Sequence, residues 1–588
     1  MCGIAGIMMK GGRPLDPAVL GRLQAALLHR GPDAAGRFVR DGLALVSTRL
    51  AVVDPAGGDQ PLRAADGAAM VGNGEIYNAP ELRAALPGFP FRCLSDMEPV
   101  LPLLARDGAG FAASLRGMYA IAAAAPDGTL HLARDPFGIK PLYLAETAEC
   151  LAFASEPQAL RAAGFSAAGP DAERRAELLQ LKHCTGAETI FPGIERVAAG
   201  ETLTLRDGQV VARRNIPAIA AVDAAPPDRA AAVRRFEAVM LDAVAVHLRM
   251  DTPWRLFLSG GVDSAILLGL AQRVTGERIA ALTIGYPGAG TGDESAAAQR
   301  LAERAGATCR RVEMTEADFW AFAPRIAAAL DDPTADPAVL PTWMLARAAT
   351  EEGAKVALTG EGADEIFGGY SRYRRALLPA LLRRRGERRG VFTRSGLPLA
   401  RFNGWTEGVD ALEAAFIRQG RSRVDTLQRI DVAERLPNSL LIKLDRCLMA
   451  HGVEGRTPFL DREVIGFAFG LPDRLRVGLS FGKLVLREWL ARTNPEARPF
   501  ARKRGFGVPV GAWMHARREA LARLVAAQPG VAELFRPEEA GAVMMAAAEE
   551  DQPAWSLLFY ALWHSRHVLG VDPAGDVAEV LSQAARRG

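Results

Sequence analysis

Residues 254–272 read WRLFLSGGVDSAILLGLAQ: a strand-length apolar run, a Gly-Gly turn, then a segment with apolar residues at helical spacing. The turn SGGVDS, 259–264, gathers backbone N–H groups and a helix N-terminus at one point, which suits an anion. It lacks the Gly-Lys-Ser/Thr ending of a Walker loop, so an ordinary kinase or GTPase phosphate loop does not fit. Alone, such a turn also reads as plain structure, and the flanking text decides. Downstream, RIAALTIGY (278–286), TCRRVEM (308–314) and KVALTG (355–360) are further short apolar runs, with helical ESAAAQRLAERAG (294–306) between them. Strand alternating with helix predicts a parallel α/β sheet. Beyond about residue 370 the patterns are almost wholly helical, and the Arg-rich RRRGERRG (383–390) reads as a solvated face or loop.

Upstream the text changes. Near residues 217 to 229 an Ala- and Pro-rich stretch without period reads as a linker, which divides the chain into 1–215 and 225–588. Before it, LALVSTRLAVVD (43–54), AAMVGNGEIYN (68–78), GMYAIAAAAPDGTLHLARD (117–135) and ETLTLRDGQVVARR (201–214) read as strands and hairpins. One helix, PAVLGRLQAALLHR (17–30), stops at the Gly31-Pro32 breaker. The first part is thus expected to be a sheet-rich α+β domain, followed by an α/β parallel-sheet domain with a helical C-terminal part.

A chain of 588 residues is too long for one hydrophobic core, and 49% hydrophobic with 24% charged residues is ordinary for a globular protein. Lys and Arg number 71 against 68 Asp and Glu, so the net charge of +3 implies neither nucleic acid nor an anionic membrane as partner. The six cysteines have no paired or C-x-x-C spacing, which fits neither a disulfide framework nor a zinc site and points to a reducing cytoplasm. No apolar run approaches the roughly 20 residues of a spanning helix, and no signal peptide is apparent, so the mature chain is expected to begin at residue 2.

Removal of Met1 would leave Cys2 with a thiol beside its own α-amine, whose ordinary pKa of about 7.7 to 8.0 lets it serve as the base. Met-Cys by itself is more often an accident than a nucleophile. Its context is MCGIAG (1–6), HRGPD (29–33), STRLAVVD (47–54), NGEIYN (73–78), SDMEPVL (95–101) and RDPFGIKPLY (134–143). Each piece also reads as a turn or helix stop. In this order they resemble the glutaminase domain of the N-terminal-nucleophile amidotransferases, which implies an αββα sandwich. The resemblance makes Cys2 the nucleophile that releases ammonia from glutamine, with the Asn73 side chain and the Gly74 N–H as its oxyanion hole. It assigns the glutamine α-carboxylate to Arg49 and the α-ammonium to Asp96, helped by Glu75.

The SGGVDS turn resembles the SGGxDS pyrophosphate loop of ATP pyrophosphatases, on Ser259, Gly260, Gly261, Asp263 and Ser264. TGEGADEIFGGY (359–370) resembles the SGEGxDExFGGY segment of the asparagine synthetase family, with Thr359 in place of the usual serine. IKLDRCLMAHGVEGRTPFLD (442–461) and ARKRGFGVP (501–509) resemble two further stretches of that family. The resemblance implies that Leu258, Ile284, Thr359 and Gly360 flank ATP, that Asp263 and Asp364 hold Mg²⁺ on the pyrophosphate oxygens, and that Glu361 does acid–base work. Lys503 is the expected partner of the adenylate. Lys443, Asp445 and Arg446 read equally well as site residues and as a structural ion network in a helical bundle.

Taken together, these motifs, from Cys2 to beyond residue 510, imply glutamine hydrolysis in one half and adenylylation of a carboxylate in the other, joined by ammonia. Aspartate is the expected acceptor. Asn438-Ser439, where relatives carry an acidic pair, and Ala265, where Ser or Thr is frequent, depart from the pattern. The former keeps another carboxylate open, such as a sugar acid, a lipid-linked intermediate or a peptide. A catalytically silent sensor is the rival of a different class, and the retained Cys2, Asn73, Asp263 and Glu361 count against it. A homodimer is compatible with the resemblance, and the last 70 or so residues carry no readable motif.

Overall fold

The computed structural model describes residues 2–587 except 168, 220, 221, 227, 289–292, 380–389, 395–403, 418, 419, 502–506, 549 and 550. The expected Arg-rich surface segment, apart from Gly390, and Lys503 lie outside the described residues.

Among the described residues, twelve strands precede Ile216: β1 (Cys2–Met9), β2 (Ala34–Arg40), β3 (Leu43–Arg49), β4 (Leu62–Arg63), β5 (Ala69–Ile76), β6 (Gly117–Ala124), β7 (Leu130–Arg134), β8 (Tyr143–Glu146), β9 (Cys150–Ala154), β10 (Ile194–Arg196), β11 (Glu201–Arg206) and β12 (Gln209–Asn215). They form two six-stranded antiparallel sheets, ordered β10-β8-β9-β1-β3-β2 and β12-β11-β7-β6-β5-β4. The period of two decides the layering. Along β1, Cys2, Ile4 and Met8 join Ala69, Val71, Ala120 and Ala122 of the other sheet in one core, while Ala5 and Ile7 pack with Leu20, Leu23 and Leu27. Those leucines line the buried side of the helix Pro17–Leu27, which Asp16 caps by accepting from the Ala18 N–H. On the opposite outer face, Met70, Ile121 and Ala123 pack against Val100, Leu101 and Leu104 of the helix Val100–Asp107. The result is the expected sandwich of two sheets between helices.

The second part holds β13 (Trp254–Phe257), β14 (Ala280–Gly285), β15 (Thr308–Glu313), β16 (Val356–Leu358) and β17 (Glu454–Arg456). All pairings are parallel, in the order β15-β14-β13-β16-β17. The strand order reverses between β13 and β16, and at such a switch the loops leaving the strands diverge to opposite faces and open a crevice at their C-terminal ends. The loop after β13 is SGGVDS and the loop after β16 is TGEGADE.

The C-terminal part is not wholly helical. VEGRTPFLD contains β17, a three-residue strand too short for a period, and it is recruited only because the edge of β16 is open to it. Residues after 550 form a core-filling helix, Asp551–His567, whose Trp555 and Trp563 indoles donate to the Ala335 and Leu330 carbonyls. That explains a motif-free tail: its part here is packing. Among the described residues no helix is long and apolar enough to cross a membrane, and the six cysteines are free.

Candidate active sites

Cys2 opens β1 opposite Arg49 of β3, and its thiol is buried. Burial pushes the thiol pKa up, against the pull of the positive amino terminus and a Leu50 backbone hydrogen bond. A base at the nucleophile is therefore needed, and the Cys2 nitrogen is the nearest one once it is an amine. That nitrogen donates to Asn73 Oδ1 at 3.1 Å, which turns the amide so that Nδ2 is a buried donor without a hydrogen-bond partner. An unpartnered buried donor beside a nucleophile is the group an oxyanion lacks. The next residue, Gly74, has φ +144° and a Cβ there would overlap the Met118 carbonyl, so only glycine fits.

Arg49 is buried, with Nη2 donating to the Val53 and Asp54 carbonyls (3.1 and 2.6 Å) and Nη1 to the Pro55 carbonyl and Asp59 (3.1 and 2.8 Å). Asp96 accepts from the Ile76 N–H at 2.6 Å, which sets its carboxylate beside the strand that carries Glu75. Burial raises the Asp96 pKa to about 6 and, with Asp96 as neighbour, raises Glu75 well above its ordinary value. Sequence reading missed Gln60, whose Nε2 lies 3.8 Å from Cys2 Sγ and which bonds both the N–H and the carbonyl of Gly72 (2.7 and 3.1 Å). No motif flags it.

In the second site, Leu258 ends the strand region and its N–H donates to the Leu282 carbonyl at 2.8 Å. Ser259 and Ser264 close the turn through their hydroxyls at 3.2 Å. The helix Val262–Thr275 starts at Gly261 with no side-chain cap, so its first N–H groups face the crevice without a side-chain acceptor. Gly260 has φ +71°. Ile284 is buried near the end of β14, and Thr359 is buried with its N–H on the Arg456 carbonyl at 2.9 Å.

The acidic residues meet two lysines. Lys483 Nζ lies 2.6 Å from Asp263 and 2.7 Å from Asp364. Lys443 Nζ lies 2.8 Å from Glu361. Burial lowers the pKa of both lysines, but their carboxylates outweigh it and both are raised. Lys483 comes from FGK (481–483), which no expectation singled out. It reaches the site because Gly369 has no side chain: a Cβ there would overlap both the Asp364 carboxylate and the Lys483 stem. Asp263 and Asp364, which converge on one ammonium, are a fit for Mg²⁺ when phosphate oxygens complete its shell. Glu365, buried beside Asp364, is raised to about 7 and accepts from the Tyr370 hydroxyl.

The KLDR motif divides. Lys443 belongs to the second site, whereas Asp445 and Arg446 join a buried network that spans both parts of the chain. Arg30 donates to Glu156 (2.7 Å) and to both Asp445 oxygens (2.7 and 3.0 Å). Arg446 pairs with Asp331 at 2.7 Å and Asp445 at 2.9 Å. Arg196 pairs with Asp332 at 2.6 Å. Asn438 donates to Glu434 at 2.9 Å and Ser439 meets Thr334 at 3.0 Å, within the π-helical stretch Asp431–Leu440 that contains Pro437.

Comparison with known proteins agrees with both parts. A glutamine amidotransferase domain model matches residues 1–215 and an asparagine synthase model matches residues 235–565. The "Putative asparagine synthetase", glutamine-hydrolyzing, of Mycobacterium bovis is 32% identical over 93% of this chain and 93% of its own. Glutamine-hydrolyzing asparagine synthetase 1 of Bacillus subtilis is 28% identical over 97% of each chain. Glutamine-hydrolyzing asparagine synthetase of Triphysaria versicolor is 27% identical over 82% of this chain and 72% of its own. The chain belongs to the asparagine synthase family, with a glutamine amidotransferase domain preceding the synthase domain.

Proposed function

We propose that this chain is a glutamine-dependent synthetase that adenylylates the side-chain carboxylate of aspartate with ATP and amidates it, giving asparagine, AMP and pyrophosphate. In this reading residues 1–215 are the glutaminase domain and 225–588 the adenylating domain. The observation that carries its glutaminase half is the buried, unpartnered Nδ2 of Asn73, whose Oδ1 accepts from the Cys2 nitrogen.

The Cys2 thiol gives its proton to its own α-amine and attacks the glutamine carboxamide, and the oxyanion is held by Asn73 Nδ2 and the Gly74 N–H. Ammonia leaves with that proton, and water cleaves the thioester to glutamate. Glutamine's α-carboxylate takes the place on Arg49 that the largely exposed Asp59 carboxylate occupies, and its α-ammonium meets Asp96 and Glu75, whose carboxyls burial otherwise pushes toward the protonated form.

In the second site the acceptor carboxylate attacks the α-phosphate of ATP on the SGGVDS loop, displacing pyrophosphate. Lys483 neutralises phosphate charge as the bond breaks, the role expected of Lys503. Asp263 and Asp364 would hold Mg²⁺, which when bound offsets charge on the leaving pyrophosphate. Ammonia then attacks the acyl carbon, AMP leaves, and Glu361, held by Lys443, accepts the proton.

For the acceptor, support comes from Arg435, whose guanidinium lies 4.8 Å from the Tyr370 ring centroid with Nη1 buried and lacking a hydrogen-bond partner. A guanidinium so placed suits a carboxylate additional to the reacting one. A second reading, another carboxylate as acceptor, is favoured by Asn438 and Ser439, whose side chains are engaged by Glu434 and Thr334 and add no charge. The test is pyrophosphate release by purified protein with ATP, glutamine and a panel of carboxylates, with amino-acid analysis of products. Aspartate is expected to stimulate release and yield asparagine. Silence with aspartate and turnover with another carboxylate would establish the second reading.

A further inference from the structure

Arg456 belongs to the synthase domain's edge strand, yet its side chain ends in the glutamine site. It is completely buried. Nε donates to Glu454 at 2.6 Å, and Nη1 donates to the His247 and Arg249 carbonyls at 2.8 and 2.9 Å. Nη2 lies 3.2 Å from Glu75 Oε1. Glu75 follows Asn73 and Gly74 on β5, and the β17 carbonyl of Arg456 receives the Thr359 N–H at 2.9 Å, at the start of the nucleotide-side loop.

The charge balance explains what this arrangement does. The buried Glu75 and Glu454 and the half-buried Asp96 lie within one another's field, and the cations that offset them there include Arg456, the amino terminus and, for Glu454, Lys140. A buried carboxylate without a cation takes up a proton and ceases to bind an ammonium group. We propose that Arg456 is a positioning residue that completes the glutamine site from the synthase domain, favouring the ionised form of Glu75 and aiming it at the α-ammonium of glutamine. The fork geometry matters: one planar guanidinium bonds Glu454 and two carbonyls with Nε and Nη1 while presenting Nη2 to Glu75, which an ammonium cannot do. The inference rests on the reading of Glu75 as a glutamine-binding residue.

The test uses the full chain, with glutaminase kinetics for Arg456→Met, Arg456→Lys, Glu75→Gln and the double variant Glu75→Gln/Arg456→Met. Arg456→Met is expected to raise the glutamine KM about tenfold with kcat changed less than about threefold, as loss of a charged contact does. Arg456→Lys should recover part of that loss. In the Glu75→Gln background, Arg456→Met should add less than about twofold. In Arg456→Met the acidic limb of kcat/KM should also move to higher pH, because Glu75, left facing Asp96, Glu454, Cys2, Tyr77 and the amino terminus without the guanidinium, then ionises later. An equal KM penalty in both backgrounds, or a fall in kcat with KM unchanged, would overturn the inference. If Arg456→Met does not fold, Arg456→Lys with and without Glu75→Gln decides by the same comparison. A glutamine KM unmoved by Glu75→Gln would instead overturn the placement of Glu75 itself.

Discussion

The two sites use buried charge in opposite ways. Around Cys2 burial outweighs the Arg456 guanidinium and the amino terminus, so Glu75 and Asp96 are both pushed up in pKa. Around the SGGVDS loop each of the three carboxylates Asp263, Asp364 and Glu361 has a lysine ammonium within 2.8 Å. In the first site burial makes both carboxyls hold their protons more tightly than usual, and a ligand's ammonium group favours their ionised form. In the second the two lysines are raised by the carboxylates they pair with, and the helix N–H groups at the loop suit a triphosphate. The difference teaches that how each carboxylate is partnered, more than the fold around it, distinguishes the ligands the two sites suit.

The severest way to break this contrast is Cys2→Ala. Glutamine-dependent synthesis should vanish, while supplied ammonium at elevated pH still yields product, because the free-base fraction rises about tenfold per pH unit below its pKa. Coupled assays with each nitrogen source check it, and loss of both in a folded variant would end the two-site account. Next in size is Lys483→Met, expected to lower pyrophosphate release by about 10²–10⁴-fold while leaving glutamate production within a fewfold. Lys483→Arg should retain more. Glu361→Gln should fall in the same range for amide formation with pyrophosphate release less affected.

Variants of the network between the sites should behave like neither. Arg446→Met leaves Asp331 and Asp445 buried with fewer partners and should cost about 3–5 kcal/mol of stability, measured by denaturant unfolding, with both half-reactions falling together. The smallest effect sharpens the comparison most. Asp96 has a folded pKa of about 6 against an ordinary value near 3.8, so the folded state binds its proton more tightly than the unfolded state. That proton's stabilisation is fully present below the unfolded value and is lost as pH rises through about 6. Asp96→Asn should therefore stabilise the protein at pH 8, by about 1–2 kcal/mol after allowance for its partial exposure, while raising the glutamine KM. Calorimetry at two pH values and glutaminase kinetics check the pair of signs. For the wild type, glutamine binding should weaken as pH falls below about 6.

Strand and helix identity, the two classes of sheet, and the motifs that carry Cys2, Asn73, Asp263 and Glu361 were legible in the amino-acid text because each depends on neighbours a few residues away. Alternation places Ile4 and Met8 on one face, a Gly-Gly turn ends β13, and Gly74 is required where no Cβ fits. The reversal of strand order between β13 and β16, the recruitment of VEGR as a strand, and the pairings of Lys483 with Asp263, of Arg456 with Glu75 and of Arg30 with Asp445 depend on residues hundreds of positions apart. Ion pairing leaves no periodic mark on a sequence, since any buried carboxylate is satisfied by whichever cation the packing delivers. The KLDR motif shows the limit: its local text is one helix turn, but only the tertiary arrangement sends Lys443 to Glu361 and Arg446 to Asp331.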